Sequence, residues 1–290
     1  MMSLAAPVNN STQGLHDLML AVLFDNSMQG LHNLTILLHD HPEVVNTCIT
    51  GASFPVPGGP AYYSTPQPPI FWALSEYHYD FKWTTSRISI LVNHGAELNV
   101  LHRNGHSTPL EVLLTRFRSQ DDQSHLISLV GFMIHCGADP NYRADVCTPL
   151  CDIILGISGF DSAEFIESLL ELGFNPNALG GNGWTALMIA VNMPRSHDTV
   201  EVLLRHGADP LMPAEPRTEV YPEDQVALNN VTAIELACAL GRLPCVELCF
   251  DYDYRIRRRI RLRGAFLSVA CSARQVDVIF FFVRKIMIPM

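Results

Sequence analysis

One phrase returns along this chain at a nearly constant spacing, and that recurrence restricts its fold more than any other feature. Gly137-Ala138-Asp139-Pro140-Asn141 comes back as Gly207-Ala208-Asp209-Pro210. Looser copies are Gly95-Ala96-Glu97-Leu98-Asn99 and Gly173-Phe174-Asn175-Pro176-Asn177. A second phrase follows each copy: Thr108-Pro109-Leu110, Thr148-Pro149-Leu150, Thr185-Ala186-Leu187 and Thr232-Ala233-Ile234. The glycines step by 42, 36 and 34 residues, and the positions after the threonines by 40, 37 and 47. The unit is therefore about 33 residues with variable insertions, a period that specifies a stacked array and not a single closed core. Such arrays expose long surfaces to other macromolecules.

The local chemistry of one unit predicts two helices and a hairpin. Thr148 before Pro149 suits a helix N-cap followed by proline in the first turn. Leu150, Ile153 and Ile154 recur at helical spacing, as do Phe165, Ile166, Leu169 and Leu170 in a second helix. Gly173 supplies a left-handed C-cap at little cost. Asn175-Pro176-Asn177 turns the chain away, and Asn182-Gly183 supplies a tight turn before Thr185 begins the next unit. Neither helix can bury its stripe alone, so the units must stack.

The phrases TPLEVLL, TPLCDII, TALMIAV and TAIELAC, with the endings LVNHGAELN, MIHCGADPN, LLELGFNPN and LLRHGADPL, resemble the ankyrin repeat family. The resemblance is strong over residues 88–239 and implies an all-α solenoid of helix-turn-helix units joined by hairpin loops. Six to seven units are expected in a single array over residues 1–290. Its clear repeats occupy 69–240, with a degenerate N-terminal unit at 14–47 and degenerate C-terminal units over 232–290. Outside the clear repeats, His16 to Phe24 and Leu31 to His39 read as one helix pair, and Gly264 to Ala270 with Val276 to Ile286 as another.

Composition narrows the function. A net charge of -10 disfavours nucleic acid as the main partner, because phosphate binding requires a basic face. None of the eight cysteines forms a C-x-x-C pair, and no histidines complete a zinc set around Cys147 and Cys151 or Cys245 and Cys249. Buried thiols in a reduced compartment are the expectation. No basic stretch followed by an apolar one opens the chain as a signal peptide would, and no apolar run reaches the ~18–20 residues of a membrane span. The chain is accordingly expected inside the cell, in cytoplasm or nucleus. The phosphate-binding GxxxxGK[ST], G-x-S-x-G and H-E-x-x-H patterns are absent. His94 and His206 stand at helix C-termini, where a cap explains them better than acid–base work. No catalytic, cofactor-binding or metal-binding residue is assigned.

Function then resides in what interrupts the repeat. Residues 48–68 form a Pro- and Gly-rich insertion at a hairpin position, with Tyr62 and Tyr63 inside it. Residues 211–231 form an acidic insertion at another, around Tyr221. A third, residues 117–124, lies between the helices of one unit. The ordinary hairpin tips carry His102, Arg103 and Asn104, then Tyr142, Arg143 and Asp145. The family resemblance implies that partners lie along such tips and the adjoining concave face, so these nine side chains are the candidate partner contacts. Trp184 is assigned a packing role across a hairpin base.

Two further departures stand out. Residues 255–263 hold six arginines, which read equally as an import signal or anionic contact and as a solvated face. In the last helix, Ile279 and Val283 fill slots that carry Glu201 and Arg205, or Glu167 and Glu171, in other copies. An apolar outer face on a terminal repeat calls for cover by a partner, a second copy or further chain. The resulting expectation is a non-catalytic scaffold or adaptor that binds protein partners. One alternative is a substrate-recruiting subunit of a ubiquitin ligase, although the docking box that role needs is not visible in residues 1–40 or after Arg263. Another is the regulatory part of a longer enzyme or membrane-associated protein.

Overall fold

The structure is a computed structural model describing residues 12–49, 67–74, 81–101, 107–116, 123–142, 148–156, 163–180, 183–193, 196–215, 230–253, 256 and 260–287. The chain divides into two compact units, Met1–Asp139 and Pro140–Met290. Their regular structure, among the described residues, is helical, with isolated β-bridges and no extended strand.

In the first unit, α1 (Thr12–Leu23) pairs with α2 (Met28–Asp40), α3 (Pro69–Ala73) with α4 (Phe81–Asn93), and α5 (Pro109–Arg116) with α6 (Gln123–His135). The first helices stack in the order α1, α3, α5 and the second helices in the order α2, α4, α6. Ile70, Phe71, Trp72 and Ala73 are all buried, as a short helix enclosed by neighbours requires. Trp72 meets Phe24 edge-on and donates its indole N–H to Ile49 O, which removes the polar cost of burying the ring. Arg87 is buried too, and its guanidinium donates to Asn26 Oδ1 in the α1–α2 turn.

The second unit follows the same order. The first helices are α7 (Pro149–Gly156), α9 (Ala186–Asn192), α11 (Ala233–Ala239) and α13 (Ile260–Ser272). The second helices are α8 (Ala163–Glu171), α10 (His197–Arg205), α12 (Leu243–Tyr252) and α14 (Val276–Met287). Each first helix packs on the next, and so does each second helix. All six residues from Ala186 to Val191 are buried, because α9 has neighbours on several sides. Leu169, expected in the core, has no exposed surface.

The helix ends follow from the phrases. Thr185 and Thr232 are N-caps whose side chains accept from the N–H three residues on. Glu111 and Glu235 reach back to the cap N–H of Thr108 and Thr232, closing two capping boxes. That T-x-x-E spacing is visible in the sequence. Gly95, Gly137, Gly173 and Gly207 all have φ between 88° and 104°, the left-handed region, with no atom near the place of a Cβ. Their role is conformational, and no close contact demands them.

Candidate protein interface

The hairpin side of each unit is built on asparagine clamps. Each clamp uses one side chain to bond the next turn twice. In the first unit, Asn46 Nδ2 donates to Gly95 O at 2.9 Å, and its Oδ1 accepts from Glu97 N at 2.9 Å. Asn99 treats Gly137 O and Asp139 N in the same way, at 3.0 and 2.8 Å. In the second unit, Asn141 spans Gly173 O and Asn175 N at 3.0 and 2.7 Å, and Asn177 spans Gly207 O and Asp209 N at 2.9 and 2.7 Å. A primary amide suits this task because it carries a donor and an acceptor on one planar group. The glycine cap presents its carbonyl, which accepts from the asparagine amide, so cap and clamp are one device.

The two long insertions are closed at their bases. Ile49 and Gln67 exchange both backbone hydrogen bonds, at 3.0 and 3.1 Å, as an antiparallel bridge. Pro213 and Thr232 form a second bridge, and Ala214 N donates to Val231 O at 2.9 Å. This second base is also tied sideways, since Glu215 N donates to Gly183 O at 3.0 Å. Gly183 has φ 76°, and a Cβ there would lie 1.7 Å from Glu215 O. Only glycine permits the two hairpins to approach so closely.

Of the nine candidate contacts, Tyr142 alone is described. It is half-buried and directly follows the Asn141 clamp. Tyr62, Tyr63, His102, Arg103, Asn104, Arg143, Asp145 and Tyr221 lie outside the described residues. So does the insertion at 117–122. Trp184 is half-buried at its hairpin base, with its carbonyl accepting from Gly180 N at 2.7 Å.

The side chains set apart for chemistry are largely engaged in structure. The His94 ring donates from Nδ1 to Ile90 O at 2.8 Å, a cap of its own helix. Arg205 at the end of α10 forms a partly exposed ion pair with Glu167 on α8 at 3.0 Å, between stacked repeats, and the ring of His206, the C-cap residue, lies 3.8 Å from the same carboxylate. Such a pair adds little stability. Cys151, Cys238, Cys245 and Cys249 are buried, as expected, but Cys48 and Cys271 are exposed. Burial pushes the thiol of Cys151 up to about 11 and that of Cys238 up to about 12, and it raises Cys245 and Cys249 as well. These thiols stay protonated and unreactive at neutral pH. His197, Asp198 and Glu201 bring one ligand atom each within 4.8 Å of one another at the start of α10. The positive helix end accounts for Asp198, and the group is largely exposed.

The arginine tract is not uniform. Arg263 is buried, and its Nη1 donates to Lys285 O near the end of α14. It is therefore neither a solvated residue nor an accessible contact. Arg255, Arg257, Arg258 and Arg259 lie outside the described residues, as does the side chain of Arg261. On α14, Ile279 and Val283 are half-buried, whereas Val276 and Phe280 are exposed, at 58% and 62%. The repeat alignment found the apolar helix but placed its exposed edge one step around.

Asn46 and the clamp role of the other three asparagines were missed from sequence. Asn99, Asn141 and Asn177 each stand four residues after a repeat glycine, so the signal was present in the phrase. Asn46 ends a 3-10 helix, Pro42–Asn46, with no such glycine, and the insertion behind it obscures the spacing.

A family model described as ankyrin repeats, in three copies, matches residues 119–214. No curated protein matches the chain. Among solved structures, an ankyrin repeat domain from Acinetobacter baumannii is similar at 15% identity and a TM-score of 0.49, covering 83% of this chain and 98% of its own. Over residues 119–214 the chain is thus similar to three consecutive ankyrin repeats.

Proposed function

We propose that this chain is a non-catalytic scaffold or adaptor. It binds a protein partner through its hairpin tips, its two long inserted loops and the adjoining concave face. Ankyrin repeats are generally protein–protein interaction modules and are typically non-catalytic. The observation that carries the reading is the closure of the loop bases. Both insertions leave the fold through an antiparallel bridge, and the ordinary hairpins leave it beside an asparagine clamp. Variable tips on a fixed base suit recognition, because the base limits the entropy lost when a partner orders the tip.

Among the described residues, no helix is long and apolar enough to cross a membrane. The test replaces Arg103 and Arg143 together by Glu in the full chain and measures partner capture alongside thermal stability. Reduced capture with an unchanged melting temperature is expected. Undiminished capture by a folded double variant would remove the tips from the interface.

A further inference from the structure

The geometry points to a self-association surface on α14: two copies of this chain pack their last helices antiparallel across a two-fold axis. The proposal is independent of the hairpin reading and uses a different part of the molecule. Val276, Phe280 and Val283 are spaced by four and three residues and so share one stripe of the helix. Val276 and Phe280 are mostly exposed, whereas Val278 and Phe282, on the opposite side, are fully buried. The stripe therefore points away from the core that α14 shares with α12 and α13.

An apolar stripe alone does not name its occupant, but the charges beside it do. Asp277 and Arg284 are both exposed and, seven residues apart, lie on the same flank of the stripe. Two helical turns separate them by about 10 Å, too far to pair within the helix. Among the described residues neither makes an ion pair. When two copies of a helix pack antiparallel, each flank meets the same flank of the other copy in reverse direction. Asp277 then faces Arg284 of the second copy, and the pair forms twice. The same arrangement sets Phe280 against Val283 of the second copy and opposes the helix dipoles. A parallel arrangement would set that flank against the other one, which carries Ile279, and would leave both charges unmatched. The surface is thus self-complementary in the way a two-fold interface requires.

The neighbouring helix is compatible with close approach. Exposed positions on α13 include Gly264, Ala265, Ser268 and Ser272, none of which carries bulk that would hold two copies apart. Lys285 points elsewhere, with its ammonium 5.1 Å from the Phe250 ring and 5.6 Å from that of Phe281.

Sedimentation equilibrium of the full chain over a range of concentrations tests the proposal. A monomer–dimer equilibrium is expected. Phe280→Glu should abolish it with no change in circular dichroism or melting temperature, because the ring is mostly outside the core. Asp277→Arg should weaken the dimer about tenfold, by setting like charges opposite each other at two symmetric places. The double exchange Asp277→Arg/Arg284→Asp should restore affinity to within about threefold of the unaltered chain, since it rebuilds both pairs. A chain that stays monomeric at every concentration overturns the proposal and assigns the stripe to a different protein. A dimer indifferent to Phe280→Glu also overturns it. So does a double exchange that fails to recover what Asp277→Arg loses.

Discussion

The turns after α8 and α12 occupy equivalent places in the second unit, yet they are built differently. After α8, Gly173 takes φ 95°, its N–H and that of Phe174 bond back into the helix, and Asn141 seizes its carbonyl. After α12, Asp253 is extended at φ -101°, and no glycine stands at this turn. The asparagine one repeat earlier is missing as well, since Leu211 stands where Asn99, Asn141 and Asn177 stand in their phrases. The two losses belong together. An amide at position 211 has no left-handed turn to hold, and the phrase Gly-Ala-Asp-Pro-Asn is informative because its parts serve neighbouring repeats. Where the coupling ends, other contacts hold the stack. Gln275 Nε2 donates to Ala239 O at 3.0 Å, Arg263 caps α14, and Phe266, Phe281 and Phe282 form an aromatic cluster.

Substitutions can break or sharpen this contrast. The largest effect is expected in the clamped region: Leu169→Ala should cost about 2–5 kcal/mol by denaturant unfolding, because the side chain is fully enclosed. Phe280→Ala, in the unclamped end, should cost less than about 0.5 kcal/mol in the monomer. Equal losses at the two sites would mean that the exposed face of α14 is misassigned.

The glycines provide a finer comparison. Gly207→Ala pays only for a left-handed alanine, about 1–2 kcal/mol. Gly183→Ala pays that and must also displace the Glu215 backbone, so it should lower the denaturation midpoint further. Similar midpoints would show that the two hairpins do not approach closely. Smaller again, Asn177→Ala should cost about 1 kcal/mol, since water can replace part of each exposed hydrogen bond. Leu211→Asn should change stability by less than about 0.5 kcal/mol, because no glycine carbonyl awaits it. A gain of a full kcal/mol from Leu211→Asn would contradict the coupling of cap and clamp.

The buried thiols have the smallest effect at neutral pH. Their ordinary ionisation is near 9, and burial moves Cys151 to about 11 and Cys238 to about 12. The native state therefore holds these protons after the unfolded chain has released its own. Their contribution to stability is complete below pH about 9 and declines as pH rises toward 11–12. Unfolding measured across that window should show the decline. Thiol labelling of the native chain at neutral pH should reach Cys48 and Cys271 and spare Cys151, Cys238 and Cys249.

Much of the fold was legible because it rests on local rules. Thr108, Thr148, Thr185 and Thr232 announce helix starts, the repeat glycines announce helix ends, and the aliphatic spacing names the buried stripe. The degenerate helices α1, α2, α13 and α14 were legible too, since periodicity survives when the phrases do not. The sideways geometry was less accessible. Nothing local tells that Asn46 reaches Gly95, that Gly183 touches Glu215, or that Arg263 turns inward while belonging to a run of arginines. Those facts depend on residues brought together by stacking. The candidate contacts are hardest of all, because tips are free to vary once their bases are closed.

The central claim is that the closed bases belong to the fold and the segments they carry belong to function. The most direct test replaces residues 51–65 and 216–229 by short Asn-Gly turns while retaining the Ile49–Gln67 and Pro213–Thr232 bridges. Affinity purification of this chain is then compared with that of the unaltered one, with helicity and melting temperature as controls. The account predicts an intact fold that has lost partners bound by the unaltered chain. An intact fold that captures the same partners with the same yield would contradict it.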